Sequence, residues 1–184
     1  MIDYILEIDK DLFIFLNGLG TKSFDWFWLM VTSKISNIIL YLFLSFIYFQ
    51  KTNLKQLVFL LLSLALMILF TDQATNLFKY TFSRLRPCHN ENLDSVIRLL
   101  KSNCGGLYGY FSAHASNSFA LAVFFLMLFI NKLNKTPILL MIFALLVSYS
   151  RIYIGVHYPL DVISGALFGC MSGYLFYFIS RKYI

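Results

Sequence analysis

Five apolar runs dominate the sequence, at about residues 24–49, 54–78, 112–131, 137–153 and 159–180. Each is near the roughly 20 residues that a helix needs to cross a bilayer. Lipid offers the backbone no hydrogen-bonding partner, so such runs must satisfy their own amides as helices. The expected fold is therefore all-α: a polytopic membrane helix bundle of about five transmembrane helices plus an N-terminal amphipathic interfacial helix. Only 13% of the 184 residues are charged, against about 25% in soluble domains. No internal repeat or shift in composition divides the chain, so residues 1–184 read as one integral membrane domain. The net charge of +6 is scattered between apolar runs, which argues against a nucleic-acid partner.

Residues 1–18, MIDYILEIDKDLFIFLNG, carry four acids and one lysine, unlike the basic start of a secretory signal. Ile2, Ile5, Leu6, Leu12, Phe13 and Leu16 recur at helical spacing. The expectation is an interfacial helix over about residues 1–20. The joints between runs carry sidedness. Lys51, Lys55, Lys132, Lys135, Arg181 and Lys182 fall on one side, with no acid among them. The positive-inside rule makes that side cytoplasmic. The long loop 79–111 and the joint 151–158 then face outward, and Trp26 and Trp28 read as an interfacial aromatic belt.

Three polar segments meet at the outer ends of these runs. KYTFSRLRP supplies Lys79, Arg84, Arg86 and Pro87. FSAHASNSF places Ser112 and His114 at the opening of the third run, where free amides and the helix dipole favour an anion. SRIYIGVHYPLD supplies Arg151, Gly155, His157 and Asp161, with Pro159 suited to a first helical turn. A carboxylate four residues after His157 holds one imidazole nitrogen and leaves the other free as base or nucleophile. Two guanidinium groups and an ammonium converging on one spot suit a phosphoryl group. Each residue alone has a bland reading as a helix cap or a snorkelling anchor. Together, at one membrane face, they read as a site.

These residues resemble the three signature motifs of the type 2 phosphatidic acid phosphatase superfamily: K-x6-R-P, then P-S-G-H, then S-R-x5-H-x3-D. Lys79, Arg86 and Pro87, then Ser112 and His114, then Ser150, Arg151, His157 and Asp161 match in order across residues 79–161. Phe111 and Ala113 stand where the pattern has proline and glycine. Ala113 keeps its amide, and Phe111 is expected to alter the loop entry or to contact lipid. The resemblance implies that His157 attacks phosphorus, Asp161 orients it and His114 protonates the leaving oxygen. It implies that Lys79, Arg86, Ser112 and Arg151 bind the phosphate. It implies no cofactor and no metal, and the chain carries no H-E-x-x-H.

The implied activity is a membrane lipid phosphatase acting on an anionic phospholipid or isoprenoid (di)phosphate. Undecaprenyl diphosphate is the first expectation, at a site on the outer face of a bacterial inner membrane. Lipid A, phosphatidylglycerophosphate and phosphatidate are the alternatives. The superfamily's soluble haloperoxidases fit the apolar runs poorly. A non-enzymatic lipid binder or transporter has no need of an oriented nucleophile and an acid.

Other features carry weaker expectations. Cys88 and Cys104 share the outer loop and are expected to form a disulfide. Cys170, inside the fifth run, reads as packing. Gly165, Gly169 and Gly173, spaced by four, are expected to let helices pack closely. Lys34 and Asp72 are expected to pair with each other, with Lys34 as a head-group contact the alternative. LDSVIRLL is expected to form a short interfacial helix, and CGGLYGY a flexible segment.

Overall fold

The computed structural model describes residues 2–101, 104–130 and 136–184. Its elements are helical: α1 (Ile2–Gly18), α2 (Asp25–Val31), α3 (Lys34–Phe49), α4 (Leu54–Phe82), α5 (Ala113–Phe129), α6 (Thr136–Tyr153) and α7 (Pro159–Ser180), with three short 3₁₀ turns. Lys132 and Lys135 lie outside the described residues.

α4 and α7 are each long and apolar enough to span a bilayer, and α2 with α3 forms a third candidate span bent by 49°. α5 and α6 are apolar but shorter. The expected run 24–49 is therefore broken, at Thr32 and Ser33. Asn37 repairs the break by donating Nδ2 to the carbonyls of Val31 (3.2 Å) and Ser33 (2.9 Å). α4 runs 29 residues, or about 43 Å at 1.5 Å per residue, longer than the roughly 30 Å hydrocarbon core. Asn53 caps its start by accepting from the Gln56 amide at 3.0 Å, a side-chain substitute for a missing helical carbonyl. Ser83, left-handed at φ 47°, ends it.

α5 is the central helix. Ala120, Ala122, Phe124 and Phe125 on it are fully buried, among Leu60 and Met67 of α4, Leu44 and Tyr48 of α3, and Ala144 of α6. The opposite faces of the outer helices, including Ile39, Phe43, Leu62, Leu66, Leu167 and Met171, are exposed, as lipid-facing positions must be.

The closest helix contact is α5 on α7. A Cβ on Gly165 would sit 2.6 Å from the Ser112 carbonyl oxygen, and on Gly169 and Gly173 it would collide with the carbonyls of Ser116 and Ala120. The expected glycine stripe is therefore a backbone-to-backbone contact. It sets the start of α5 beside the start of α7, where the Ser112 amide donates to the Asp161 carbonyl at 2.9 Å.

α1 lies across the end of α6 and the start of α7. Its inward face is Asp9, Phe13 and Asn17, one helical row. Of the apolar stripe that marked this helix, Phe13 and Leu16 pack on the bundle, while Ile2, Ile5, Leu6 and Leu12 stay exposed. Asn17 donates to the carbonyls of Arg98, Ile152 and Tyr153 and accepts from the Arg98 amide.

Several expectations need correction. LDSVIRLL is not a helix: after a 3₁₀ turn, Glu91–Leu93, it runs on as turn and irregular backbone. Its polar groups bond to Asn17 and Asp25 rather than to its own next turn. Half-buried Trp28 packs on Tyr149 and Tyr153 at 5.0 and 5.1 Å, whereas Trp26 is exposed. Phe111 touches neither lipid nor solvent. It is buried between Phe78 and Phe168.

Gly169→Leu forces α5 and α7 apart at a contact with no side chain to yield. It is expected to cost about 3 kcal/mol, read as a lower Tm in detergent, whereas Gly18→Ala, with nothing within 4 Å, leaves Tm unchanged.

Candidate active site

A cavity of about 310 Å³ opens where the C-terminal ends of α4 and α6 meet the N-terminal ends of α5 and α7, and Lys79, Arg86, Arg151, His114 and His157 line it. Five of the seven predicted site residues thus share one wall. Ala113, at the first turn of α5, lines it as well. Ser112 sits just behind, its Oγ buried and without a partner. Asp161 lies behind His157 and is fully buried.

Neutral groups hold the cations. Arg86 donates Nε to the Tyr108 carbonyl (3.1 Å) and Nη1 to the Cys104 carbonyl (2.9 Å). Arg151 donates Nη1 to Thr32 Oγ1 at 2.6 Å, and its Nε is buried without a partner. Thr32 is at the break between α2 and α3, so the kink supplies the hydroxyl that aims Arg151. Apart from Arg84, which turns to carboxylates behind the site, these cations keep their charge for a ligand. Lys101, just past the LDSVIRLL segment, also lines the cavity. Burial, with Arg151 and Lys34 nearby, pushes its amine down from the ordinary lysine value.

His157 follows a tight turn. Gly155 has φ +85°, and a Cβ there would sit 2.7 Å from the Arg98 carbonyl oxygen, so only glycine fits. His157 Nδ1 lies 3.3 Å from Asp161 Oδ2, which also accepts the Tyr158 amide at 3.1 Å. Nε2 is then the nitrogen free for the cavity. Burial, followed by Arg151, Arg86 and Lys79, pushes the imidazole well below its ordinary value, so the ring is neutral and its lone pair available at neutral pH.

Sequence reasoning gave no role to Arg84 and none to Asp9. Arg84 donates Nη1 to Asp161 Oδ1 at 2.9 Å and Nη2 to Asp9 Oδ2 at 2.5 Å. Its guanidinium lies 4.1 Å from the centre of the Tyr158 ring. The local cause is a short antiparallel pairing. Leu85 bridges Tyr108, the Arg86 amide meets the Leu107 carbonyl (3.1 Å), and the Gly109 amide meets the Arg84 carbonyl (2.8 Å). Extended backbone turns residues two apart to one face, so R-L-R sends both arginines towards Asp161. A Cβ on Gly109 would approach Asp161 Oδ2 to 3.0 Å. The readable signals were the two-residue spacing of Arg84 and Arg86, and an acid in one helical row with Phe13 and Asn17.

A second cavity, about 490 Å³, runs down between α3, α4 and α5 and shares His114 with the first. Ile38, Leu42, Leu61, Leu64, Ile68 and Leu121 make it apolar, with Lys34, Asp72 and Asn117 among its lining. The expected pairing of Lys34 with Asp72 is absent. Asp72 Oδ1 instead accepts Asn117 Nδ2 at 2.8 Å, and Thr71 Oγ1 donates to Asn117 Oδ1 at 2.6 Å. Asn117 on the central helix is nearer to hand than a lysine at the start of a bent span.

The fold and site define a class: an integral membrane protein with a cation-lined, histidine-bearing anion site at one end of its helix bundle. The model of the PAP2 superfamily matches residues 56–184, and the chain belongs to that family. It is 35% identical over 99% of its length to a lipid A 4′-phosphatase of Bacteroides thetaiotaomicron, covering 81% of that protein. It is 34% identical over 95% of its length to a lipid A 4′-phosphatase of Porphyromonas gingivalis, covering 74% of it. An undecaprenyl-diphosphatase of Sulfolobus acidocaldarius is 38% identical over 53% of the chain and 44% of that protein. Among solved structures, Aquifex aeolicus LpxE superposes at TM-score 0.68 and 28% identity, covering 94% of both chains. A phosphatidylglycerolphosphate phosphatase from Bacillus subtilis, at TM-score 0.77 and 17% identity over 97% of this chain and 87% of that one, shares the fold. The chain is a membrane lipid phosphatase.

Cys88 and Cys104 form the expected disulfide, and Arg86 leans on the Cys104 carbonyl. Replacing both cysteines by serine removes about 3 kcal/mol of loop restraint. The expected result is a lower Tm and a KM raised several-fold by a loosened Arg86, with a smaller change in kcat, measured by phosphate release.

Proposed function

We propose that the protein removes a phosphate from lipid A, at an outward-facing site, through a phosphohistidine. The observation that carries this reading is the shared wall at His114. The cationic cavity and the apolar groove meet there, so a phosphate held by Lys79, Arg86 and Arg151 has its lipid portion on the groove side. The bond between them then lies beside the histidine assigned to protonate the leaving oxygen. Among the lipids the family admits, lipid A is favoured because the lipid A 4′-phosphatases match nearly the whole chain. The undecaprenyl-diphosphatase match covers about half of it, and the expectation of undecaprenyl diphosphate gives way on that ground.

The mechanism follows from the placement of the groups. His157 Nε2 attacks phosphorus, and the bond from phosphorus to the lipid oxygen breaks. His114 gives that oxygen its proton. The imidazole becomes cationic, and Asp161 holds its Nδ1 proton. Water then attacks the phosphohistidine, His114 takes the water's proton, and Nε2 leaves. Lys79, Arg86, Arg151 and the amide of Ala113 stabilise charge on the transferring group, while the unpartnered Ser112 Oγ and Arg151 Nε are donors held ready for it. Lys51, Lys55, Arg181 and Lys182 lie at the helix ends away from the site, and Phe59 stacks on Tyr183 there at 5.2 Å. The positive-inside rule supports an outward-facing site on that basis.

The test is phosphate release by detergent-purified protein in EDTA from lipid A, undecaprenyl diphosphate, phosphatidylglycerophosphate and phosphatidate, with His157→Ala alongside. Lipid A is expected to be cleaved fastest, with no turnover in the variant. Preference for another lipid refutes the substrate, and an active His157→Ala refutes the nucleophile. A pH profile adds a second check. Because the imidazole is held below its ordinary value, kcat/KM is expected to persist on the acid side past pH 6.5. An acid limb at or above that value contradicts the assignment.

A further inference from the structure

Asp9 is 3% exposed, while the other acids of α1, Asp3, Glu7 and Asp11, face outward. Its Oδ2 takes one branch of the Arg84 guanidinium, and its Oδ1 accepts the Leu160 amide at 2.8 Å. The other branch of Arg84 holds Asp161 Oδ1 at 2.9 Å. Phe13, one turn after Asp9, packs on the Tyr158 ring at 5.3 Å, and Arg84 lies over that ring. Arg84 lines neither cavity. It therefore does not serve the phosphate, although it lies two residues from an arginine that does.

We propose that Arg84 and Asp9 are positioning residues for the nucleophile: Arg84 fixes the Asp161 carboxylate against His157, and Asp9 neutralises Arg84 so that Asp161 keeps its negative charge for the imidazole. The proposal rests on the reading of His157 as the nucleophile. As Nε2 bonds to phosphorus, the ring gains a positive charge, and Asp161 Oδ2 stands 3.3 Å from Nδ1. With Asp9 ionised, Asp9, Arg84 and Asp161 together carry one negative charge to receive it. With Asp9 neutral they sum to zero, and an uncompensated guanidinium sits one carboxylate away from the developing cation. Burial pushes the Asp9 carboxyl up, against the pull of Arg84 and of the Leu160 amide, so its charge depends on those two contacts. The rival role for Asp9 is to cap the start of α7 at Leu160, which asks only for an oxygen.

Asp9→Asn separates the two roles, because it keeps Oδ1 for Leu160 and removes the charge. The full-length protein in detergent is assayed on the best-cleaved lipid of the panel above. Asp9→Asn is expected to lower kcat about 30-fold with KM within about twofold of wild type, and with Tm retained. Full kcat in Asp9→Asn, or a change confined to KM, overturns the proposal. If Asp9→Asn does not fold, Arg84→Lys decides: it keeps the charge and cannot span both carboxylates, so kcat must fall at constant KM, and unchanged kcat overturns the proposal. A wild type that cleaves none of the lipids, or an active His157→Ala, overturns the reading of the site and this inference with it. An inactive His157→Ala beside a fully active Asp9→Asn overturns this inference alone.

Discussion

The contact on which the rest of the molecule depends is backbone against backbone. α5 and α7 meet along Gly165, Gly169 and Gly173, with the carbonyls of Ser112, Ser116 and Ala120 where side chains would otherwise stand. Lipid tails are as apolar as leucine, so helices gain little there by hiding apolar surface, and close packing must hold them together. The same contact brings the amide-rich start of α5 to within a hydrogen bond of the start of α7. The anion-favouring helix end, the histidine before α7 and its carboxylate therefore share one place because glycine allows it.

Around that point the charges are sorted. Arg86 leans on carbonyls and Arg151 on a threonine hydroxyl, partners that steer a cation without cancelling it. The carboxylates lie behind the cavity, where Asp161 meets His157 and Arg84, and Asp9 closes the row. A buried cation paired with an acid is electrically spent. Cations steered by dipoles remain available to a phosphate, and an acid kept on the far side of the histidine faces the imidazole rather than the cavity.

Much of this was legible in the chain. Apolar runs of bilayer length dictate helices, since no other backbone satisfies itself in lipid. The glycine stripe, the turn at Gly155 and the spacing of His157 from Asp161 are local geometry, and local geometry follows from residue type. The three polar segments named five residues that line the cavity and two that stand directly behind it. Reading went wrong where a partner far along the chain outbid a near one. Lys34 and Asp72 matched in depth, yet Asn117 of the central helix holds the carboxylate. LDSVIRLL looks helical by itself, but Asn17 and Asp25 bind its backbone and arginine from elsewhere.

The sequence by itself determined the apolar helices, their membrane setting and which polar residues gather at one end of the bundle, because hydropathy and motif spacing are properties of neighbours along the chain. Only the tertiary structure decided that Thr32 at a broken span aims Arg151, that Lys101 enters the cavity, that His114 divides a polar cavity from an apolar groove, and that Asp9 reaches the Asp161 carboxylate through Arg84. These contacts join residues dozens to more than a hundred positions apart. They depend on how whole helices pack, and spacing along the chain does not specify packing.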